Sequence, residues 1–539
     1  MMKKYTSQKM PTNMLVFFLC CLFVLITVLS WSFDDLSFLC FVSFLPVFFL
    51  VDIMKERNSL QFTLLLFFLN LVINILVFSW LFSVSYAAGL SICFLNSLVF
   101  TVPYFFLKSN NSSFININKY LFLTFWVAVE FFHFRWSIAF PLLNLGYCLS
   151  SYPNIIQFYE VTGSLGGTFW VLLTNILLYD FVRSFRMTHS GKHLHKIIRV
   201  SMFFIFPILI SRLMENENYI KENNKFNVLV VHPSIDCENE KYNREASEVT
   251  KYYLSLLDTS SLIGSADLIL LPETSLPDIG FLHELDKNES MNLLSNFVRK
   301  HKTPISSGAI SYSLENNINE KKAHENPNLV YSSKYDVWYK VFNSFIQLDS
   351  DYSVQHRAKE NLVPIEETLL KGKFFSILRK LVGSRGGFFF SREDRPSYLF
   401  ELKSGSAYAP IICYESAFSN ILRKSVLKGA EFITVGLNEC WYKNTSGAKH
   451  FLRAASIRAI ETRKYIVRSS NMGYSSVTNL NGHIIDKTFS SEPKVFLAAI
   501  HRNGIKTFFV KNGDWLGYLN FLFMLTLVSI SFYRKSKTR

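Results

Sequence analysis

The sequence predicts a bundle of membrane-spanning α-helices joined to an α/β domain held outside the bilayer. Half of its 539 residues are hydrophobic and 53 are Phe. Apolar windows near or above the ~18–20 residues needed to cross a bilayer recur along the first 214 residues and once more at the end. Between them, residues 215–513 alternate short apolar runs with helical periodicity, the pattern of a layered α/β domain.

The spans read, in order, near 13–31, 36–52, 60–82, 86–107, 118–135, 164–182, 196–213 and 514–533. The first has no small-residue cleavage site and further spans follow at once, so it is not read as a signal peptide. Basic residues orient the helices. Lys3, Lys4 and Lys9 precede span one; Lys55 and Arg57, Lys108 and Lys119, then Arg183 to Arg199, and finally Arg534 to Arg539 fall on the same side. The opposite short loops are nearly free of Lys and Arg. This places both termini in the cytoplasm and 215–513 outside, giving a seven-span domain over 1–214, an outer domain over 215–513, and a last helix with a basic tail over 514–539.

The formal charge of +15 follows from that orientation. Residues outside 215–513 carry 18 Lys and Arg against 8 Asp and Glu, whereas the outer domain carries 38 against 33. Nothing in this distribution is a nucleic-acid footprint. Of eight cysteines, only Cys237, Cys413 and Cys440 lie in the outer domain, and no CxxC occurs, so neither a zinc site nor a disulfide framework is suggested. At least one of the three thiols remains free, and a Cys237–Cys440 bridge is left open.

In the outer domain, strands are expected over Phe226–Val231, Asp267–Glu273, Ile305–Tyr312, Ser406–Cys413, Phe432–Leu437, Tyr465–Ser469 and Val495–Ile500. A hairpin is expected across Asn-Leu-Asn-Gly between Tyr474–Thr478 and His483–Ile485. Helices are expected over Glu245–Leu257, Ser290–Lys300 and His450–Lys464. Residues 371–390 differ. Phe374, Phe375, Leu378, Leu381 and Val382 form one helical stripe with Lys and Arg mostly off it, and Gly386-Gly387 follows. This describes either an amphipathic helix packed on the domain or, as favoured here, a lid dipping into the membrane interface.

Three residues at or just after strand ends carry chemistry: Glu273, Lys359 and Cys413. A thiol is a weak nucleophile at its ordinary pKa; a nearby base and a nearby cation both favour the thiolate. Together these three supply a nucleophile, a proton acceptor and an oxyanion stabiliser without a metal. Spacing alone does not bring them together.

The segments Leu271-Pro-Glu-Thr-Ser275, Lys359-Glu-Asn-Leu-Val-Pro364 and Ile412-Cys-Tyr-Glu415 resemble the motifs of the nitrilase (carbon–nitrogen hydrolase) superfamily, whose Glu-Lys-Cys triad runs in this chain order. The combination with many N-terminal spans and one C-terminal span is similar to the apolipoprotein N-acyltransferase family. Asn438 with Trp441, Arg468-Ser-Ser-Asn-Met-Gly473, Phe140 to Tyr147 and Glu160-Val-Thr-Gly163 resemble further segments of that family. The chain departs from the pattern at Glu366, where the family has Gly, a residue often kept for positive φ; at His232 for Gln; at Glu439 for Asp; at Cys440 for a small residue; and at Tyr242 for Trp.

The resemblance implies a nitrilase-like αββα sandwich inserted before the last transmembrane helix. It implies a fatty acyl transfer from the sn-1 position of a phospholipid to the N-terminal amine of a diacylglyceryl-cysteine apolipoprotein, by ping-pong catalysis through a Cys413 thioester. Glu273 is then general base and acid and Lys359 the oxyanion stabiliser. Glu367, Tyr414 and Glu415 support them, with Glu415 expected to orient Lys359 and hold it charged. Phe374, Phe375, Leu378 and Trp441 are assigned to the lid and substrate surface. No metal and no cofactor are implied, and the location is the bacterial inner membrane with the catalytic domain in the periplasm. A tethered amidase hydrolysing a small amide is the alternative, against which eight spans argue, since one would anchor it. A transporter or receptor is disfavoured because the acidic groups of the spans, Glu130, Glu160 and Asp180, sit near their ends.

Overall fold

The computed structural model describes residues 11–108, 115–136, 139–187, 193–215, 224–241, 243–315, 328–333, 336–364, 366–368, 390–393, 396–442 and 446–537. The first half is helical: α1 (Thr12–Ser32), α2 (Leu45–Ile53), α3 (Ser59–Val77), α4 (Tyr86–Thr101), α5 (Ile115–His133), α6 (Ser164–Met187) and α7 (Leu194–Met214). Six segments among the described residues are long and apolar enough to cross a membrane: Thr12–Ser32, Asp34–Ile53, Ser59–Val77, Tyr86–Leu107, Ser164–Arg186 and Leu194–Met214. The other two expected spans are helices as well, α5 and the last helix, Trp515–Lys537, whose apolar part covers only Trp515–Ile530.

Two spans are less regular than their hydropathy predicts. The second opens as a 3-10 stretch, Asp34–Phe41, before α2 begins with Pro46 in its first turn, where a missing N–H does no harm. The third stops at Val77 rather than continuing to 82, and helix resumes only over Leu81–Val84.

Among the described residues, the α/β region holds thirteen strands in two sheets. The first contains β1 (Lys225–His232), β2 (Leu268–Leu270), β3 (Ile305–Leu314), β4 (Leu329–Ser332), β5 (Val337–Leu348), β6 (Val354–Ala358) and β13 (Lys494–His501), in the order β13-β1-β2-β3-β5-β4 with β6 also paired to β5. The second runs β12 (Ile484–Thr488), β11 (Ser475–Thr478), β10 (Ile466–Asn471), β9 (Phe432–Asn438), β8 (Ala407–Ile412), β7 (Phe400–Glu401). Each sheet has a parallel centre, β1-β2-β3 and β8-β9-β10. The expected hairpin forms, with β11 and β12 antiparallel. Strands β4 to β7 were not anticipated. In the longest, β5, the polar residues Lys340, Asn343, Ser344 and Gln347 interrupt the apolar run and hide its period of two.

Successive side chains on a strand face opposite ways, and the cores follow that rule. Val228, Val230, Leu268 and Leu270 meet Tyr408, Phe432 and Val467 between the sheets. Leu229, Val231 and Ile269 face the other way, onto helices α8 (Ala246–Asp258) and α9 (Glu289–His301). On the far side, Ile411, Ile433 and Val435 of the second sheet pack on α10 (Ser419–Lys428) and α11 (Gly447–Thr462), and that core runs unbroken into the membrane helices through Phe78, Phe140 and Tyr147. The α/β region is thus a four-layer αββα sandwich whose last helical layer lies between a sheet and the bundle. Helix α12 (Trp515–Lys537) returns to the bundle and packs along α5.

Candidate active site

The first sheet delivers a carboxylate and an amine. The chain leaves β2 through Leu271-Pro272 and places Glu273 in the following turn. Two close approaches fix that turn: a Cβ on Gly308 would stand 2.5 Å from the Glu273 Cα, and one on Gly436 would stand 3.1 Å from the Glu273 nitrogen. From below, Lys241 Nζ donates to the Glu273 carbonyl at 3.1 Å and to Thr274 Oγ1 at 2.8 Å. Burial lowers the Lys241 pKa to about 7 although the Glu273 charge opposes it. Lys359 is the first residue past β6, and its N–H donates to the Asn343 carbonyl at 2.8 Å.

The second sheet delivers the thiol. Cys413 follows β8 directly, at φ 45°, and starts the 3-10 turn Cys413–Ala417. A left-handed φ at a non-glycine residue marks a backbone held by its surroundings. Glu415, two residues on, supplies much of that hold. Its carboxylate accepts from Arg357 Nη1 at 2.8 Å and Nη2 at 2.9 Å, and from the N–H groups of Ile412 at 3.0 Å, Glu360 at 2.6 Å and Asn361 at 3.3 Å. The expected role for Glu415 is therefore corrected: it pairs with Arg357, not with the Lys359 amine. It acts on the backbone around Lys359 because Arg357 and Lys359, two apart on one strand end, share a side.

The charge on Lys359 is held by others. Its Nζ donates to Glu273 Oε1 at 2.9 Å and to Glu367 Oε1 at 2.8 Å. Asn343 Nδ2 spans the same two oxygens, at 2.8 Å and 3.0 Å. Glu367 Oε2 also accepts the Val363 N–H at 2.8 Å, closing its own loop. Burial alone would lower the Lys359 pKa, but Glu273, Glu367 and Cys413 outweigh it and hold the ammonium well above its usual value. Burial would raise Glu273; Lys359 and hydrogen bonds from Asn343, Lys359 and Cys413 bring it below the usual carboxylate range. Burial lifts Glu367, Lys359 pulls it down and Glu273 pushes it up again, leaving it raised. The Cys413 thiol is pushed well above its usual value by burial and then by Glu273, against Lys359. Glu273, Lys359, Glu367 and Cys413 thus form one coupled, buried group.

The turn carrying Cys413 is also tied to the bundle. The Tyr414 hydroxyl donates to the Ala139 carbonyl and its ring stacks 6.3 Å from Phe140. Tyr147 Oη donates to the Ala417 carbonyl at 2.7 Å and accepts from Arg458 Nη2 at 2.9 Å. Each end of the turn is bonded to the segment that follows α5.

Comparison with known proteins fits this arrangement. Residues 7–177 match the apolipoprotein N-acyltransferase N-terminal domain, and residues 242–508 match the carbon-nitrogen hydrolase domain. Both parts of the chain are thus similar to the apolipoprotein N-acyltransferase family. The chain is similar to the apolipoprotein N-acyltransferase of Chlorobaculum tepidum, 25% identical over 81% of each chain. It also matches that of Borreliella burgdorferi, 22% identical over 92% of this chain and 91% of the relative, and that of Geobacter metallireducens, 22% identical over 76% and 74%. It is accordingly an N-acyltransferase and a multi-pass membrane protein.

Set against the sequence expectations for an N-acyltransferase of this family, Glu273, Lys359 and Cys413 meet, and Glu367 and Tyr414 stand beside them. Trp441 lies in the turn Cys440–Tyr442, against the Leu81–Val84 helix, where its carbonyl accepts from Ser83 Oγ at 3.4 Å. Phe374, Phe375 and Leu378, with the whole 371–390 stripe except Phe390, lie outside the described residues, as does Tyr242. The Cys237–Cys440 bridge left open by the sequence is formed, and it ties the Lys241 turn to the Trp441 turn. At the departures, His232 bonds Ser475 Oγ at 3.0 Å and the Ser490 carbonyl at 2.9 Å. Glu439 meets Arg468 at 3.3 Å. The sequence reading missed Asn343, Arg357 and Lys241. Arg357 carried a signal, two residues from Lys359; Asn343 carried only its polarity within an apolar run.

Proposed function

We propose that the chain moves a fatty acyl group from a phospholipid to the N-terminal amine of a diacylglyceryl-cysteine lipoprotein, with Cys413 carrying the acyl group as a thioester. The observation that supports this reading is the shared cluster of Glu273, Lys359, Glu367 and Asn343 beside a buried thiol, on a turn bonded to the membrane bundle. Cys413 Sγ attacks the sn-1 ester carbonyl. Glu273 accepts the thiol proton and returns it to the leaving alkoxide of the lysophospholipid. The thiol is held high and the carboxylate low, so the transfer is uphill in the resting site. It becomes favourable as negative charge moves onto the tetrahedral oxygen beside the Lys359 ammonium. Glu367 and Asn343 keep Lys359 charged and aimed. In the second half, the lipoprotein amine attacks the thioester, Glu273 takes its proton, an amide forms and the thiol is regenerated.

The reaction belongs on the outer face of the bacterial inner membrane. The run of Lys and Arg on one side of the spans supports that orientation, and a disulfide in the α/β region suits an oxidising compartment. Trp441, in the turn Cys440–Tyr442, lines the approach to the site. Mass spectrometry of the protein after mixing with phospholipid tests the first half: a fatty-acyl adduct on the Cys413 peptide, absent in Glu273→Ala. Adding a diacylated lipopeptide tests the second. Loss of the adduct with acylated peptide appearing supports transfer. An adduct that only hydrolyses, or no adduct, refutes it.

A further inference from the structure

At the other end of the bundle lies a cavity that the acyl-transfer chemistry does not use. It has a volume of about 660 Å³ between α1 and the second span, with apolar walls that include Leu19, Leu22, Leu45 and Phe49. Its mouth is polar and mainly basic: Asp52, Lys55, Arg183 and Arg186. The position of this mouth follows from the fold. The second span starts at Asp34, which is ion-paired to Arg453 of the α/β region, and α6 starts at Ser164, whose N–H donates to Glu461 Oε1 at 3.0 Å. Both helices then run away from the α/β region. From Ser164 to Arg183 the helix rises roughly 28 Å, about the thickness of the hydrocarbon layer. The mouth therefore sits at the membrane surface opposite the active site.

The charge at that mouth selects a ligand. Asp52 is already engaged, accepting from the Tyr179 hydroxyl and lying 3.6 Å from Arg183. Arg186 lies over the Phe49 ring at 5.0 Å, directly above the apolar wall, and Lys55 is exposed beside it. Three cations against one neutralised carboxylate leave an excess of positive charge where an apolar channel meets a headgroup layer. A cavity of this shape and charge suits a lipid whose fatty chain lies against the apolar walls and whose phosphate lies at Arg186 and Lys55.

We propose that this cavity binds an anionic glycerophospholipid of the leaflet opposite the α/β region. It is a lipid site separate from acyl transfer and independent of the reading above. The test uses full-length protein in phosphatidylcholine vesicles doped with phosphatidylglycerol or phosphatidylcholine bearing the same photoactivatable acyl chain. Crosslinks are expected in the peptides of 12–32 and 42–55, with phosphatidylglycerol favoured roughly tenfold. Lys55→Glu with Arg186→Glu should erase that preference while thermal unfolding stays unchanged. Leu22→Trp should reduce crosslinking there by both probes, and it decides the matter if the charge-reversed variant does not fold. Equal labelling by the two probes in the unaltered protein would overturn the proposal. So would a preference that survives charge reversal, or crosslinks confined to other helices.

Discussion

Two buried ion pairs stand side by side in this enzyme, and they are built in opposite ways. Arg357 stands in the last residues of β6 and Lys359 just past its end, and Cys413 and Glu415 lie in the same turn. Arg357 and Glu415 satisfy each other: one guanidinium meets one carboxylate through two bonds, and three backbone N–H groups complete the carboxylate. Lys359 faces two carboxylates and a thiol, so negative charge is in excess around it. A closed pair of matched charges holds backbone in place and has nothing left to give a substrate. An unbalanced cluster splits its pKa values and can pass a proton.

The largest expected difference is in chemistry. Lys359→Met should lower acyl transfer by about 10²–10³, the usual cost of one lost oxyanion donor. Its stability should then recover as pH falls. Without the ammonium, burial and mutual repulsion raise both Glu273 and Glu367 above their unfolded values, so the folded state binds more protons in acid. Thermal unfolding against pH, compared with the unaltered enzyme, checks this; a flat profile would break the contrast.

Arg357→Leu should instead cost about 3–5 kcal/mol of stability, because Glu415 is left as an unpaired buried charge. Removing both partners, Arg357→Leu with Glu415→Leu, should regain most of that loss in a denaturant titration. Activity should stay low, since the backbone at 360 and 361 loses its anchor. Full recovery of activity would mean that the matched pair does not position Lys359.

Asn343→Leu should weaken transfer by about ten- to a hundredfold, in keeping with about 1.5–3 kcal/mol for a hydrogen bond to a charged group. It should also move the acid limb of the pH–rate profile to higher pH, because the Asn343 hydrogen bond helps hold Glu273 low. An unmoved limb would leave Asn343 a packing residue. The smallest effect on rate belongs to Tyr147→Phe, which removes the bond to the Cys413 turn and the one that Arg458 donates to the same hydroxyl. About 1–3 kcal/mol of stability and less than a tenfold change in rate are expected.

Much of this was legible along the chain. The apolar windows and the side-to-side bias of Lys and Arg are local quantities, and so is the near-continuous apolar run of Phe226 to Val231. These set the membrane helices and most of the α/β elements. Glu273, Lys359 and Cys413 were legible because each sits in a short motif at a strand end. The 3-10 opening of the second span, the break after Val77 and strands β4 to β7 were not, since each depends on neighbours distant in sequence.

What the chain determined by itself is the inventory: helices of membrane length, an α/β domain between them, and three reactive side chains in order. Only the tertiary structure decided the partners. It gave Glu415 to Arg357 rather than to the amine, gave Lys359 a second carboxylate and Asn343, and hung the Cys413 turn from Ala139 and Tyr147. The reason is that hydropathy and strand period act over a few residues. Which buried charge meets which is settled by packing two sheets and a bundle together, where every ion must find its counterpart or lose its charge.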